Sequence, residues 1–331
     1  MPRTLPLVAC AALWASSLAA QQSGDSLYTA WCSHCHGADA HGTPAASTRL
    51  AVPPADLASC AASTPETEAQ WVGIVTRGGE AYGLSRDMPA YGEAASEAQI
   101  RAVVRYVRSL CRDRSWPPGE LNFPRAFLVE KAYPENELVL VTHGREQQAI
   151  YEHRLGRRLQ FEAEVVALFD SLDRPFEGGS ASLKYNVWHS LDRRALATLG
   201  AEVTPPLGRR DRWEIEPYVA GGIERARFDL QVQIVAGWEE AEGVSGVSYR
   251  AALGRPIGRF TPTLEAGWDV PADGASALSL YPQLWFRLSR LGHVAGSVGA
   301  EVPARGVSPP RSRLIAFLLW DFGDAPLFRG W

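Results

Sequence analysis

The residues Cys32-Ser33-His34-Cys35-His36 combine type and spacing in a way that specifies chemistry. Two thiols at i and i+3 fall on one side of a helical turn. There they can add to the two vinyl groups of a single porphyrin, and the imidazole of His36 then lies within reach of the iron. C-x-x-C-H is the attachment signature of c-type haem, so one covalent haem c is expected on Cys32 and Cys35 with His36 as an iron ligand. A bare C-x-x-C would leave zinc, thiol redox and haem open. The directly following His, and the lack of a second C-x-x-C, favour haem over a partial zinc site.

A second axial ligand is wanted some way down the chain. Met88 is the only methionine besides Met1, and it sits in the polar loop Asp87-Met88-Pro89-Ala90-Tyr91-Gly92. A lone Met is usually core filler, but this loop setting suits a sixth iron ligand. His41 is the competitor, close behind His36. His34, inside the motif, should point away from the iron.

The elements that position these residues read as helices. Residues 24–33 suit a helix leading into the motif. Residues 44–65, rich in Pro, Ala, Ser and Thr, read as a loop. Residues 66–77 carry Trp71, Ile74 and Val75 at helical spacing and end at Gly78-Gly79. A last helix starts at Ser96-Glu97, with Ile100, Val103, Val104 and Val107 in one apolar stripe.

On Cys32, Cys35 and His36, Pro53 or Pro54, Met88 with Pro89, and the terminal helix 96–110, residues 21–111 resemble a class I monohaem cytochrome c. That resemblance implies a small all-α domain, His/Met ligation and one-electron transfer without substrate chemistry. It also implies that a proline carbonyl, from Pro53 or Pro54, accepts a hydrogen bond from the axial His. With both axial positions filled, no iron site is open to oxygen or peroxide, so no enzyme activity is expected.

The chain has 331 residues, 46% apolar and 21% charged, with net charge −4. This composition describes packed domains, and neither half is basic, which speaks against nucleic acid as a partner. Residues 1–20 read as a secretory signal: Arg3, an apolar run from Leu5 to Leu18, then Ala19-Ala20. Cys10 leaves with that signal. Export places Cys60 and Cys111 in an oxidising compartment, where a bridge between them is expected over two separate buried thiols.

Residues 112–136, with Trp116-Pro117-Pro118-Gly119, read as a linker. From 137 to 331 the period changes from helical to two. Phe228, Leu230, Val232 and Ile234 alternate with Arg227, Asp229, Gln231 and Gln233. Leu159, Phe161, Ala163 and Val165 alternate with Gln160, Glu162 and Glu164. Such runs recur as about 10 to 12 strands with no helix between them, the signature of an all-β antiparallel barrel.

An outer-membrane barrel and a soluble β-domain both fit alternation. Charges confined to one face, the aromatics Trp188, Trp213, Trp238, Trp268 and Trp320 near strand ends, and the terminal Trp331 favour the membrane. Three features run the other way. Leu314 to Trp320 is apolar on both faces, the last strand does not run cleanly into Trp331, and Pro217, Pro262 and Pro282 fall inside strands. The acidic inner face (Glu162, Glu164, Glu214, Glu216, Asp229, Glu265) reads as a wet barrel interior or a cation pathway. His143, His153, His189 and His293 are scattered and form no metal set.

A haem domain joined to a barrel is similar in architecture to the fused monohaem cytochrome–porins of iron-oxidising bacteria. It implies an electron carrier anchored in the outer membrane with its haem domain in the periplasm. Outer-membrane lipid and a redox protein, or an extracellular electron donor or acceptor, would be its partners. The soluble alternative is a periplasmic cytochrome whose β-domain docks a redox partner.

Overall fold

The computed structural model describes residues 23–44, 47, 50, 52–169, 175–290, 292–307 and 311–323. The expected signal segment, Cys10 and Trp331 lie outside them.

The N-terminal part is helical: α1 (Gly24–Trp31), α2 (Ser33–His36), α3 (Cys60–Ser63), α4 (Glu68–Arg77) and α5 (Glu97–Leu110). α4 and α5 each begin with a capping box. Thr67 and Gln70 exchange side-chain and backbone hydrogen bonds at one, Ser96 and Gln99 at the other. Each box satisfies two amides that the helix cannot. α5 buries Ile100, Val103, Val104 and Val107, the stripe expected for it. α1 crosses α5 so closely that a Cβ on Gly24 would sit 2.3 Å from the Ala102 carbonyl oxygen. Only glycine permits that approach. Cys60 and Cys111 form a disulfide that ties α3 to the end of α5.

The remainder is a closed barrel of twelve antiparallel strands in sequence order. They are β1 (Glu137–His143), β2 (Glu146–Leu155), β3 (Leu159–Leu168), β4 (Phe176–Ser190), β5 (Ala195–Thr204) and β6 (Glu214–Arg225), then β7 (Phe228–Glu239), β8 (Gly243–Gly254), β9 (Phe260–Pro271), β10 (Ala277–Arg287), β11 (Val294–Arg305) and β12 (Arg313–Asp321). β1 closes on β12 with Glu137 opposite Asp321 and His143 opposite Ile315. Closure removes every sheet edge. Alternation sorts the side chains: in β7, Leu230, Val232 and Ile234 are 40–45% exposed outside, while Gln231 and Gln233 are 6% and 4% exposed inside. The in-strand prolines sit where pairing lapses. The β6–β7 register passes from Ile215 to Tyr218, and the β10–β11 register from Leu280 to Gln283, so Pro217 and Pro282 leave no ladder bond broken on those sides.

The expected linker proves to be more than a tether. Residues 121–136 keep irregular backbone but run inside the barrel. Glu265 of β9 accepts the amides of Phe127, Leu128 and Val129 at 2.9, 2.9 and 2.7 Å. Gln233 of β7 accepts from Glu130 N, Thr198 of β5 donates to Ala132 O, and Gln283 of β10 donates to Arg125 O. Contacts on so many sides are possible only from within the lumen. Phe123 fits because β6 offers Gly222, where a Cβ would lie 2.7 Å from its ring. This plug also explains β12. Phe317 and Leu319 point inward onto Phe127, with Phe127 and Phe317 ring centroids 5.8 Å apart, while Leu314 and Leu318 face out. The inner face of β12 is apolar because it packs on the plug.

Candidate functional site

Cys32, Cys35, His36 and Met88 line one cavity of 610 Å³ in the helical domain. Cys32 is the hinge between α1 and α2: its carbonyl accepts from both Cys35 N (3.2 Å) and His36 N (2.9 Å). That turn puts both thiols on the cavity side, and they are not joined to each other. Burial, then the neighbouring Cys35, pushes the Cys32 thiol up to about 11. α4 and α5 wall the space with Ile74, Val75, Val103 and Val104, and Leu57 adds a further apolar side chain.

His36 Nδ1 lies 3.0 Å from the Ala55 carbonyl. A carbonyl only accepts, so Nδ1 carries the proton and Nε2 keeps its lone pair for a metal. Burial holds this imidazole below its usual pKa, partly offset by the Ala55 bond. The partner carbonyl is thus that of Ala55, not Pro53 or Pro54. Both prolines instead line the cavity.

Met88 enters from the loop after Gly78-Gly79. Gly79 N donates to Met88 O at 3.0 Å, and the Met88 side chain packs beside Val75, Ile100 and Val104. His41 stays off the cavity lining and pairs with Asp56 at 3.1 Å. His34 is solvent-exposed but also borders the cavity. Tyr91 donates to Trp31 O at 2.7 Å and stacks on the Trp31 ring, joining the Met88 loop to the haem-motif helix. Two thiols, an imidazole with one nitrogen already satisfied, a thioether and apolar walls fit a covalently held haem.

The barrel closes one side of the same cavity. Asn136, Arg154 and Asp321, at the strand ends, contribute to its lining. Arg154 is buried, donates to Ala61 O at 3.3 Å and lies over the Trp116 ring. Further ties run from Glu66 to His293 (3.1 Å), Asp113 to Arg157 (3.0 Å) and Ala81 O to Arg290 (3.0 Å). Nothing in the haem motif pointed to these barrel residues. Their one sequence signal was that basic side chains gather in the turns.

The inward acidic residues divide: Glu162, Asp229 and Glu265 are buried, while Glu164, Glu214 and Glu216 stay partly exposed, as a wet interior would have them. Glu265 binds plug amides, as above. The carboxylates of Glu130, Glu152 and Glu162 lie within 4.8 Å of one another. Lys184 pairs with Glu130 at 2.5 Å, and Arg125 pairs with Glu152, so cationic side chains already occupy the place a metal would take.

Residues 19–107 match the family model described as "Cytochrome C oxidase, cbb3-type, subunit III". This segment, less than a third of the chain, is a cytochrome c domain, and such a domain implies haem. No match is found among curated proteins. Among solved structures, the KdgM porin aligns at 10% identity and TM-score 0.43, covering 56% of this chain and 98% of that one. An outer membrane channel from Pseudomonas putida F1 aligns at 12% identity and TM-score 0.43, covering 60% of this chain and all of that one. The closed strand register, not these distant alignments, establishes the barrel.

Proposed function

We propose that this protein is a one-electron carrier held in the outer membrane by its barrel. Cys32 and Cys35 bind one haem c covalently, and His36 and Met88 are its axial ligands. The observation that carries this reading is that all four side chains, drawn from positions 32 to 88, line one apolar cavity. When bound, the haem supplies a redox-active iron. The chain's own residues set its surroundings: Ala55 fixes the His36 tautomer, the Met88 thioether favours the reduced metal, and the apolar walls exclude water. A filled axial pair leaves no position for oxygen or peroxide.

Leucine, valine and isoleucine on the outer face of the barrel support contact with outer-membrane lipid. Trp188 and Trp320 near the haem-domain end, and Trp213, Trp238 and Trp268 near the far end, suit interface girdles. The haem-domain end also bears both barrel termini and mostly short turns, which supports a periplasmic position for that domain. Its partner is a redox protein or an extracellular electron donor or acceptor.

Haem-stained gels of the outer-membrane fraction, boiled and unboiled, test the reading. A haem-positive band that migrates faster before boiling is expected. Staining confined to the soluble fraction would overturn the membrane assignment, and no staining would overturn the haem. Met88→Ala should abolish the sulfur–iron absorption band of the oxidised protein and lower its potential. An unchanged band would remove Met88 as ligand.

A further inference from the structure

The five turns at the haem-domain end repeat one composition. Each, with the strand ends beside it, holds two arginines and at least one large apolar side chain that is 39–54% exposed. In the β6–β7 turn these are Arg225, Arg227 and Phe228. In the β8–β9 turn they are Arg255, Ile257 and Arg259. The chain as a whole is acidic, at −4, so this is charge segregated to one rim.

Carboxylates pair with only some of the arginines at the barrel ends. At the far end Arg210, Arg212 and Arg313 pair with Glu214, Glu242 and Glu301 at 3.1, 2.6 and 2.7 Å. At the haem-domain end Arg194 and Arg157 likewise pair with Glu224 and Asp113, but Arg225, Arg227, Arg255 and Arg259 have no carboxylate partner among the described residues. Arg255 lies over the Phe228 ring, and Arg259 donates to the Arg287 carbonyl. The haem domain contacts the β2–β3 and β10–β11 turns through Arg157, Arg290 and His293, and these four arginines lie on turns it leaves open.

We propose that this rim binds the phosphates of anionic phospholipids in the leaflet that faces the haem domain. The inference rests on the membrane reading above. A planar guanidinium matches phosphate through two parallel hydrogen bonds. The neighbouring Leu, Ile or Phe reaches acyl depth beside it. Arg225, Arg227, Arg255 and Arg259 lie with the exposed Phe228, Ile257 and Phe260 on two neighbouring turns, at the edge of the apolar outer wall where a lipid headgroup would meet the barrel. Each arginine near an anionic surface strengthens binding roughly five-fold.

The test compares full-length, haem-loaded protein in phosphatidylcholine vesicles with and without phosphatidylglycerol, using R225Q/R227Q/R255Q/R259Q as the variant. Phosphatidylglycerol should raise the midpoint of the heat-induced gel shift by at least about 4 °C in the wild type. High salt should erase the rise. The variant should lose most of it while keeping its midpoint in phosphatidylcholine. Equal wild-type midpoints in both vesicles, or a full rise in the variant, would overturn the proposal. So would the same rise from inorganic phosphate added to phosphatidylcholine vesicles, which would show a site for free anions. If lipid charge has no effect but the variant loses salt-sensitive electron exchange with a soluble acidic redox protein, the rim serves a protein and the lipid proposal falls. Failure to enter either vesicle would sink the membrane reading itself, an outcome distinct from the others.

Discussion

Glu265→Ala is the sharpest test of the plug. The carboxyl group of Glu265 is fully buried and accepts three consecutive amides, those of Phe127, Leu128 and Val129. Alanine leaves all three donors inside the barrel without that acceptor. At about 1 kcal/mol for each lost bond, the segment weakens by about 3 kcal/mol, and more if water cannot reach the orphaned amides. The barrel ladder does not use this side chain, so β9 should keep its register. Local opening of residues 127–129 should become roughly 100-fold more frequent. Amide hydrogen exchange on the intact protein reads this directly, with the α5 amides as an internal control. Glu265→Gln keeps one acceptor oxygen and should fall between the wild type and alanine. Unchanged protection at Phe127, Leu128 and Val129 in the alanine variant would refute the view that Glu265 holds the plug.

Replacing both Cys60 and Cys111 by Ser opens a loop with a sequence separation of 51 and should cost the helical domain about 4 kcal/mol, read by denaturant titration. Glu120 offers a pH test. Burial alone would raise its pKa, but the Arg108 guanidinium, bonded at 2.5 and 2.8 Å, brings it below the ordinary 4.5. Its folded pKa is depressed, so its contribution is complete above 4.5 and is lost as pH falls through the folded value. Glu120→Gln should cost about 3 kcal/mol at neutral pH and flatten the acid-unfolding slope below pH 4.5; an unaltered slope would exclude the pair. Gly222→Val drives a Cβ into the Phe123 ring and should destabilise plug seating by about 2 kcal/mol, seen as faster proteolysis between residues 119 and 136 with the gel shift retained.

The residues that meet at the cavity were legible because the C-x-x-C-H motif spans only five residues and because Met88 stands alone in a polar loop. The Ala55 carbonyl was not. Pro53, Pro54 and Ala55 present three carbonyls in a row, and the path of the loop decides which one faces His36. The barrel was legible from alternation, since a closed sheet with a polar inside and an apolar outside imposes period two on every strand. The plug was hidden because its segment has no period. Its hydrogen bonds join residues more than a hundred positions apart, as from Val129 to Glu265. Two sequence features were its traces. Polar residues such as Gln231, Gln233 and Gln283 recur at inward positions of mid-barrel strands, and β12 is apolar on both faces.

Those inward side chains also explain why an irregular segment is stable inside a sheet cylinder. Backbone without regular structure must find partners when water is excluded. Here Glu265, Gln233 and Gln160 accept its amides, and Thr198, Lys184 and Arg250 donate to its carbonyls. The charges balance by the same means: Lys131 bridges Glu135 and Glu137 at 2.7 Å each. The plug begins at Leu121, the last residue of the Gly119–Leu121 turn that Gly119 N fastens to Thr64 O at 2.7 Å. Plug and haem domain are therefore consecutive parts of one anchored chain. A segment pinned at both ends leaves the helical domain little freedom to swing, so the cavity wall that Arg154 and Asn136 complete is a fixed one. In the proposed carrier the plug occupies the lumen beneath the haem domain and that wall is closed. Electron exchange is then confined to the sides of the haem domain that the barrel does not cover.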